Sequence, residues 1–229
     1  MARSKAAGFE TQRAAIRDAA ARLFAEKGYP SASVADLARA CGVSKALLYH
    51  YYRDKEQLLF DIADRYLDGL LAIVADVDME ALQPPQRLRR LIERFMAAYE
   101  DSAQYHRVLV QDVKYLNTPH RNRVNTKQRR VVQAYADAIA TVAPQLQASR
   151  LLRPVTMTLF GMINWTFTWL KDDGALRYAD MAPVVADLFL RGVGCVRPLP
   201  GAAAGKAAGR ATGGRRASKV GGRPLRQAA

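Results

Sequence analysis

Cysteine is nearly absent from this chain: Cys41 and Cys195 are the only two among 229 residues. Two thiols build no disulfide framework, and a reducing compartment suits them. Each reads as a small buried apolar residue rather than a redox centre. Histidine is almost as scarce, and His50, His106 and His120 show no metal-ligand spacing. No glycine-rich phosphate loop follows a strand, and no Ser or Cys stands in a nucleophile elbow. The sequence therefore offers no catalytic residues, no metal site and no call for a cofactor. Long hydrophobic runs are missing too. The longest uncharged stretch lies between Arg153 and Lys171 and is interrupted by Thr, Asn and Gly, short of the roughly 20 apolar residues that a membrane span needs. The N-terminus has no apolar core of a signal peptide. A soluble, cytoplasmic protein without enzymatic activity is expected.

Positive charge is abundant and unevenly placed. Of the formal net charge of +14, residues 1–55 contribute +5 (ten Lys/Arg against five Asp/Glu), residues 56–196 only +1 (seventeen against sixteen), and residues 197–229 +8 (eight against none). The excess implies an anionic partner for the two ends, while a near-neutral middle is no nucleic-acid surface. Half of all residues are hydrophobic, enough for one sizeable core or two modest ones.

The stretch from Ser33 to Glu56 carries the strongest local signal. Ser33 can cap a short helix with Asp36 three residues on, Leu37 and Ala38 give that helix an apolar face, and Cys41-Gly42-Val43 breaks it at a glycine. Ser44 then caps a second helix. Two short helices around a three-residue turn containing Gly form a helix-turn-helix, whose second helix enters a DNA major groove. Upstream, residues 1–10 read as a flexible arm, and Thr11 as the cap of a helix with Ile16, Ala20, Leu23 and Phe24 at helical spacing. Downstream, Asp54 opens a fourth helix whose apolar positions Leu58, Ile62, Tyr66, Leu70 and Val74 persist for about six turns, long enough to link two domains as a lever.

The remaining chain repeats helical patterns: one after Gln83-Pro84-Pro85, a shorter one after Asp101-Ser102, a long one from about His120 to Val142, one over Leu151 to Leu170, and a last from about Met181 to Arg191. With no β-branched alternation, the fold class is all-α: a helix-turn-helix domain joined by a long helix to a second helical domain. The Leu151–Leu170 segment is apolar nearly all round and must be covered on both sides. One side can face the domain's interior and the other a second copy of the chain, so the last two helices of each subunit would make a four-helix homodimer interface. From Arg197 onward little is available to bury, and the basic tail reads as disordered.

A recognition helix needs small or polar residues at its start and phosphate-binding donors on its rim. Ser44, Lys45 and Ala46 occupy the start, with Lys45 as the base-reading candidate, and Leu48 is the inward anchor. Tyr49, His50 and Tyr51 cluster with Arg53 and Lys55 on the rim, and Ser33 at its helix N-terminus can hold a phosphate. The alternative makes Tyr49, Tyr51 and Tyr52 core aromatics; it is preferred for Tyr52, whereas DNA contact is preferred for Tyr49, Tyr51 and Lys55. In the middle of the chain, Phe95, Tyr99, Leu109, Tyr115, Phe160, Asn164 and Trp165 are candidates to line a ligand pocket between helices. Arg121, Arg123, Lys127, Arg129 and Arg130 could meet phosphates of a ligand, against the plainer reading of a solvated helix face.

Residues 11–71 resemble the N-terminal domain of the TetR family of bacterial transcriptional repressors. The resemblance rests on Ala20-Ala21-Arg22-Leu23-Phe24-Ala25-Glu26-Lys27-Gly28-Tyr29, Val34-Ala35-Asp36-Leu37-Ala38, Gly42-Val43-Ser44-Lys45, Leu48-Tyr49-His50-Tyr51-Tyr52 and Asp54-Lys55-Glu56-Gln57-Leu58-Leu59. Two positions depart from the pattern: Ala46, where the family often has Gly, and Tyr52, where it usually has Phe. The resemblance implies phosphate contacts for Ser33, Tyr49, Tyr51 and Lys55, and bases facing Ser44, Lys45 and Ala46. The segment Phe160 to Trp169, together with Asp187 to Gly192, is similar to the subset that senses acyl-CoA thioesters. Residues 1–10 are thus an arm, 11–55 the DNA-binding domain, 56–196 the ligand-binding and dimerisation domain and 197–229 the tail. The expected function is a homodimeric regulator, a repressor bound to a near-palindromic double-stranded DNA operator and released by a small-molecule effector of acyl-CoA type. The alternative is a DNA-compacting protein acting through its basic ends without a ligand.

Overall fold

The helix starts of the N-terminal region after the first helix are set by side chains that satisfy free amides of the first turn. In the computed structural model, which describes residues 2–171 and 173–198 with side chains from residue 7, Ser33 Oγ accepts from the Asp36 amide at 3.1 Å and Asp36 Oδ2 accepts from the Ser33 amide at 3.2 Å. This reciprocal cap starts α2 (Val34–Ala40). Gly42, at φ 64°, takes the left-handed conformation that turns the chain, and Ser44 Oγ accepts from the Leu47 amide at 3.1 Å to start α3 (Lys45–Tyr51). Asp54 Oδ1 accepts from the Gln57 amide at 2.7 Å and opens α4 (Lys55–Met79).

The first helix, α1 (Ala2–Lys27), begins nine residues before the expected cap. Thr11 lies inside it, its hydroxyl donating to the Ala7 carbonyl at 2.9 Å, so residues 2–10 are helical rather than an arm. Phe9 gives this extra length something to pack on: its ring lies 4.6 Å from that of Tyr51 on α3. Ile16, Phe24, Leu37, Leu48, Leu58 and Ile62 are buried and fill the space between α1, α2, α3 and the first half of α4.

The second half of α4 is shared with α5 (Pro84–Asp101), α6 (Ala103–Asp112), α7 (Thr118–Val142), α8 (Leu152–Asn164) and α9 (Tyr178–Val193). Leu88, Leu91, Ile92, Phe95 and Met96 of α5 are fully buried, and Tyr135 and Ile139 of α7, Leu159 and Ile163 of α8 and Phe189 of α9 join the same continuous core. Among the described residues all regular structure is helical, and no helix is long and apolar enough to cross a membrane. The basic tail expected to be disordered lies, beyond residue 198, outside the described residues.

The expected single helix over Leu151–Leu170 is divided. Its α-helical part stops at Asn164, and Trp165–Thr168 forms a tighter 3-10 turn. Thr166 and Thr168 donate their hydroxyls to the carbonyls of Ile163 and Trp165, each at 2.6 Å. Such back-bonding to position i−3 competes with the α-helical ladder and tightens the turn. Coverage is one-sided: Leu159 and Ile163 are buried, while Met157, Trp165 and Trp169 are exposed, as are Val184 and Leu188 of α9.

Candidate functional site

The rim of α3 holds most of the residues expected to read DNA. Ser44, Lys45, Ala46, Tyr49 and His50 are exposed together with Ser33 at the start of α2, whereas Leu48 is buried as the anchor. Tyr49 is 52% exposed. Tyr51 is half-buried against Phe9 and the edge of His50. Tyr52 belongs to the core and donates its hydroxyl to Asp61 Oδ2 at 2.7 Å.

Lys55 differs most from the expected phosphate contact. Its Nζ donates to the carbonyls of Tyr29 and Ala32, both at 2.9 Å, and lies 4.2 Å from the centre of the Tyr29 ring. Two of its three protons are thus used inside the protein, and desolvation lowers its pKa below the ordinary lysine value. Ser33 is likewise engaged, its hydroxyl donating to Asp36 Oδ2 at 2.7 Å. This bond and the Ser33 amide hold the Asp36 carboxyl below its usual pKa. Leu47, exposed on the same helix, and Phe9, which braces Tyr51, were missed by the sequence reading. An apolar residue beside the base-reading positions carries no signal of its own, and Phe9 fell in the presumed arm.

The long helix α4 connects this headpiece to the rest through carboxylates. Asp61 accepts from Tyr52 and lies 3.3 Å from Arg13, 3.5 Å from Arg17 and 3.6 Å from Arg65. One turn on, Asp64 is gripped by Arg123 at 3.1 Å and by Lys127 at 2.6 Å, both from α7, and Lys127 also reaches Asp68. At the start of α4, Glu56 accepts from the Asn117 amide at 3.0 Å and from Asn117 Nδ2 at 3.1 Å, and its carboxylate lies 3.0 Å from His120 Nδ1. His120 also stacks on Phe60 at 4.0 Å. The N-terminal end of α7 is thereby clamped to the first turns of α4, directly after the recognition helix.

Farther along, α7 walls a cavity of about 780 Å³ with residues of α4, α5, α6 and α8. Tyr99, Leu109, Phe160 and Asn164 line it, as expected. Three other candidates do not. Phe95 is fully buried behind the wall, its ring edge-on to Tyr135 at 5.0 Å. Tyr115 stacks on Tyr29 of the headpiece at 5.6 Å, because the 3-10 turn after α6 (Val113–Tyr115) carries it there. Trp165 is 62% exposed, turned outward by the 3-10 segment that ends α8. Of the basic group on α7, Arg123 and Lys127 are consumed by Asp64, and Arg129 alone reaches the cavity.

The cavity has residues that spacing did not disclose. Arg150 and Arg153 join Arg129 in its lining; all three are exposed and none is ion-paired with a carboxylate among the described residues. They come from two chain segments that only the fold brings together. Inside, Leu67, Leu70, Leu109 and Phe160 make an apolar wall interrupted by Tyr99, His106 and Asn164. Tyr99 donates its hydroxyl to Asn164 Oδ1 at 2.8 Å and stacks on His106 at 4.0 Å. Burial raises the pKa of Tyr99 and lowers that of His106 to about 4, so both are neutral near pH 7. Such an arrangement can take an apolar group inside and hold anionic oxygens beside the exposed arginines.

Known proteins share this architecture. The family model for bacterial regulatory proteins of the tetR family matches residues 16–62, and that for the tetracyclin repressor-like C-terminal domain matches residues 81–193. A crystal structure of a TetR-family transcriptional regulator from Bordetella parapertussis is 36% identical, with 78% of this chain and 93% of that chain covered and a TM-score of 0.75. The chain belongs to the TetR family. This TetR-family regulator also resembles AibR, solved in complex with isovaleryl coenzyme A and operator DNA, at 25% identity, 78% and 96% coverage and a TM-score of 0.67. Among curated relatives, the transcriptional repressor KstR2 of Mycobacterium tuberculosis is 31% identical over 44% of this chain, and the match spans about half, 48%, of KstR2's own length. The transcriptional activator FasR of Mycolicibacterium smegmatis is 27% identical over 72% of this chain and 74% of FasR. The matched families comprise transcriptional regulators rather than enzymes.

Proposed function

We propose that this TetR-family protein binds a near-palindromic operator as a homodimer through α3 and is released from it by an acyl-CoA-type effector. The observation that carries the reading is the cavity: an apolar interior whose rim bears three guanidiniums, of Arg129, Arg150 and Arg153, free of carboxylate partners among the described residues. Unpaired arginines at the mouth of an apolar cavity suit a ligand with an acyl chain and phosphate groups. The likeness to AibR, whose solved complex holds isovaleryl coenzyme A, points the same way. Lys45 and Ala46 face bases, while Tyr49 and Tyr51 meet phosphates. Lys55 has one proton left for a phosphate. The exposed Met157, Trp165, Trp169, Val184 and Leu188 of α8, the turn after it and α9 form the dimer face.

A ligand that moves α7 acts on α4 through Asp64 and Glu56, and changes the separation of two recognition helices that must span about 34 Å of successive major grooves. The shift in operator affinity equals the effector's differential affinity for the two arrangements. Selection from a random duplex pool is expected to enrich a palindrome. Lys45→Ala is expected to weaken binding to it by about 10- to 100-fold, and acyl-CoA to release it. Absence of an enriched palindrome overturns the operator reading, and release by no acyl-CoA of any chain length overturns the effector reading. Repression rather than activation is tested by in vitro transcription from a promoter carrying the selected site.

A further inference from the structure

Leu47 is an apolar side chain of α3 left outside the core. It is 39% exposed, whereas its neighbour Leu48 is 4% exposed and belongs to the core cluster. Its backbone is held in a fixed place, because the Leu47 amide donates to Ser44 Oγ at 3.1 Å and closes the first turn. At about 100° per residue, Ala46 and His50 point farthest from Leu48, and Leu47 and Tyr49 flank them on either side. Lys45, Ala46, Leu47, Tyr49 and His50 are all exposed. A single leucine on an ordinary surface needs no explanation. This one lies within the row of side chains that the operator reading gives to DNA, in a segment, residues 1–55, whose net charge is +5.

What a leucine can do against DNA is narrow. Its side chain has no donor for a phosphate oxygen or for a base acceptor, and its amide proton is already used by Ser44. Pressed on a guanine edge, it would strip water from N7 and O6 and supply no hydrogen bond in return, which is unfavourable. The same holds for the polar edges of adenine and cytosine. The major groove displays one apolar group, the C5 methyl of thymine. Packing that methyl on Leu47 removes water from two apolar surfaces at once.

We infer that Leu47 selects thymine: each half-site of the operator carries a thymine whose C5 methyl packs against the Leu47 side chain. The inference rests on the reading of α3 as the operator-binding helix and assigns a base to one of its residues. It gives the helix two kinds of readout, hydrogen bonding through Lys45 and apolar contact through Leu47.

The test uses the full chain and a duplex that it enriches from a random pool, with binding read as fluorescence anisotropy. Each thymine of the half-site is replaced in turn by deoxyuridine, in both half-sites at once, which removes the methyl and keeps the base pair. At one position binding is expected to weaken about fourfold per methyl, or about 15-fold for the symmetric pair. With cytosine and 5-methylcytosine placed there, the methylated base is expected to bind more tightly. In Leu47→Ala, a substitution that suits an exposed helical position, the deoxyuridine penalty at that position is expected to fall below about twofold, with penalties elsewhere unchanged. Leu47→Gln supplies a second variant, and selection with it is expected to replace that thymine by adenine, the base a glutamine pairs with in the major groove. Deoxyuridine tolerated at every position, or a selected half-site without thymine, overturns the inference. So does a penalty undiminished in Leu47→Ala together with a thymine still selected by Leu47→Gln. Each of these outcomes leaves the operator reading standing, whereas absence of any enriched palindrome removes that reading and this inference with it.

Discussion

Asp61 and His106 are both buried polar side chains in contact with aromatic hydroxyls or rings, yet their surroundings are opposite. Asp61 has more partners than oxygens: the Tyr52 hydroxyl and the guanidiniums of Arg13, Arg17 and Arg65 surround it, and the one nitrogen left over is Arg13 Nε. His106 has one long hydrogen bond, and its Nδ1 meets no protein donor among the described residues. A saturated cluster stabilises the state in which it is saturated, and here that state fixes the recognition helix to α1 and α4. A buried acceptor without a protein partner costs stability instead. The headpiece is therefore held in one arrangement by paired charges, whereas the histidine beside the cavity is held mainly by ring stacking.

The sharpest way to break this comparison is to remove the two centres in turn. Asp61→Ala leaves three guanidiniums and a phenol without their anion, and a loss of about 3 kcal/mol is expected, since removing one member of a buried ion pair is strongly destabilising and the arginines here are partly solvated. Urea unfolding measures it as a lower midpoint. His106→Phe is expected to be neutral within about 0.5 kcal/mol, or stabilising, at pH 7.5 without ligand, because an orphaned acceptor disappears and the ring stack stays. Equal losses in the two variants would erase the distinction.

The pH dependence sharpens the same contrast. His106 titrates near 4 in the folded protein and near 6.5 when unfolded. The unfolded chain therefore binds the extra proton first. The stability is intact above about pH 6.5 and falls as the pH drops towards 4, by up to about 3 kcal/mol from this residue. His106→Phe removes that share of the acid sensitivity. Urea midpoints of both proteins between pH 7.5 and 4 are expected to converge at neutral pH and diverge on acidification, and parallel curves would show that the buried ring is not the source.

The smallest expected effect concerns the clamp between these regions. Glu56→Gln keeps an acceptor for Asn117 but removes the carboxylate facing His120, and about 1 kcal/mol of stability is expected to be lost. Operator affinity without effector is expected to change little, while the concentration of effector needed for release changes. Fluorescence anisotropy of labelled operator, titrated with and without effector, separates the two. An unchanged release curve would show that α7 reaches the headpiece through Asp64 instead.

Much of the headpiece could be read directly from the residues because its determinants are local. The caps Ser33, Ser44 and Asp54, the turn at Gly42, and the inward positions of Leu48 and Tyr52 are each specified within four residues of where they act. Errors arose where a distant contact overrides a local signal. Thr11 looks like a cap, but Phe9 packing on Tyr51 extends α1 past it. Lys55 shows the same reach of distant groups without deciding its role: two of its three protons go to the carbonyls of Tyr29 and Ala32.

The cavity was half legible. Tyr99, Leu109, Phe160 and Asn164 sit on predictable inward faces, while Phe95 and Trp165 share the same helical periodicity and lie behind the wall or outside it. Periodicity reports which face of a helix is apolar, not whether that face meets a core, a cavity or a second subunit. The sequence by itself determined the all-helical class, the helix-turn-helix and the separation of charge between ends and middle, because these follow from short-range capping, spacing and counting. Only the tertiary structure decided that Arg129 joins Arg150 and Arg153 at one rim, that Asp64 ties α7 to the lever helix, and that His106 keeps an unpaired nitrogen. Each of these depends on bringing separate helices together, and no local pattern encodes that distance.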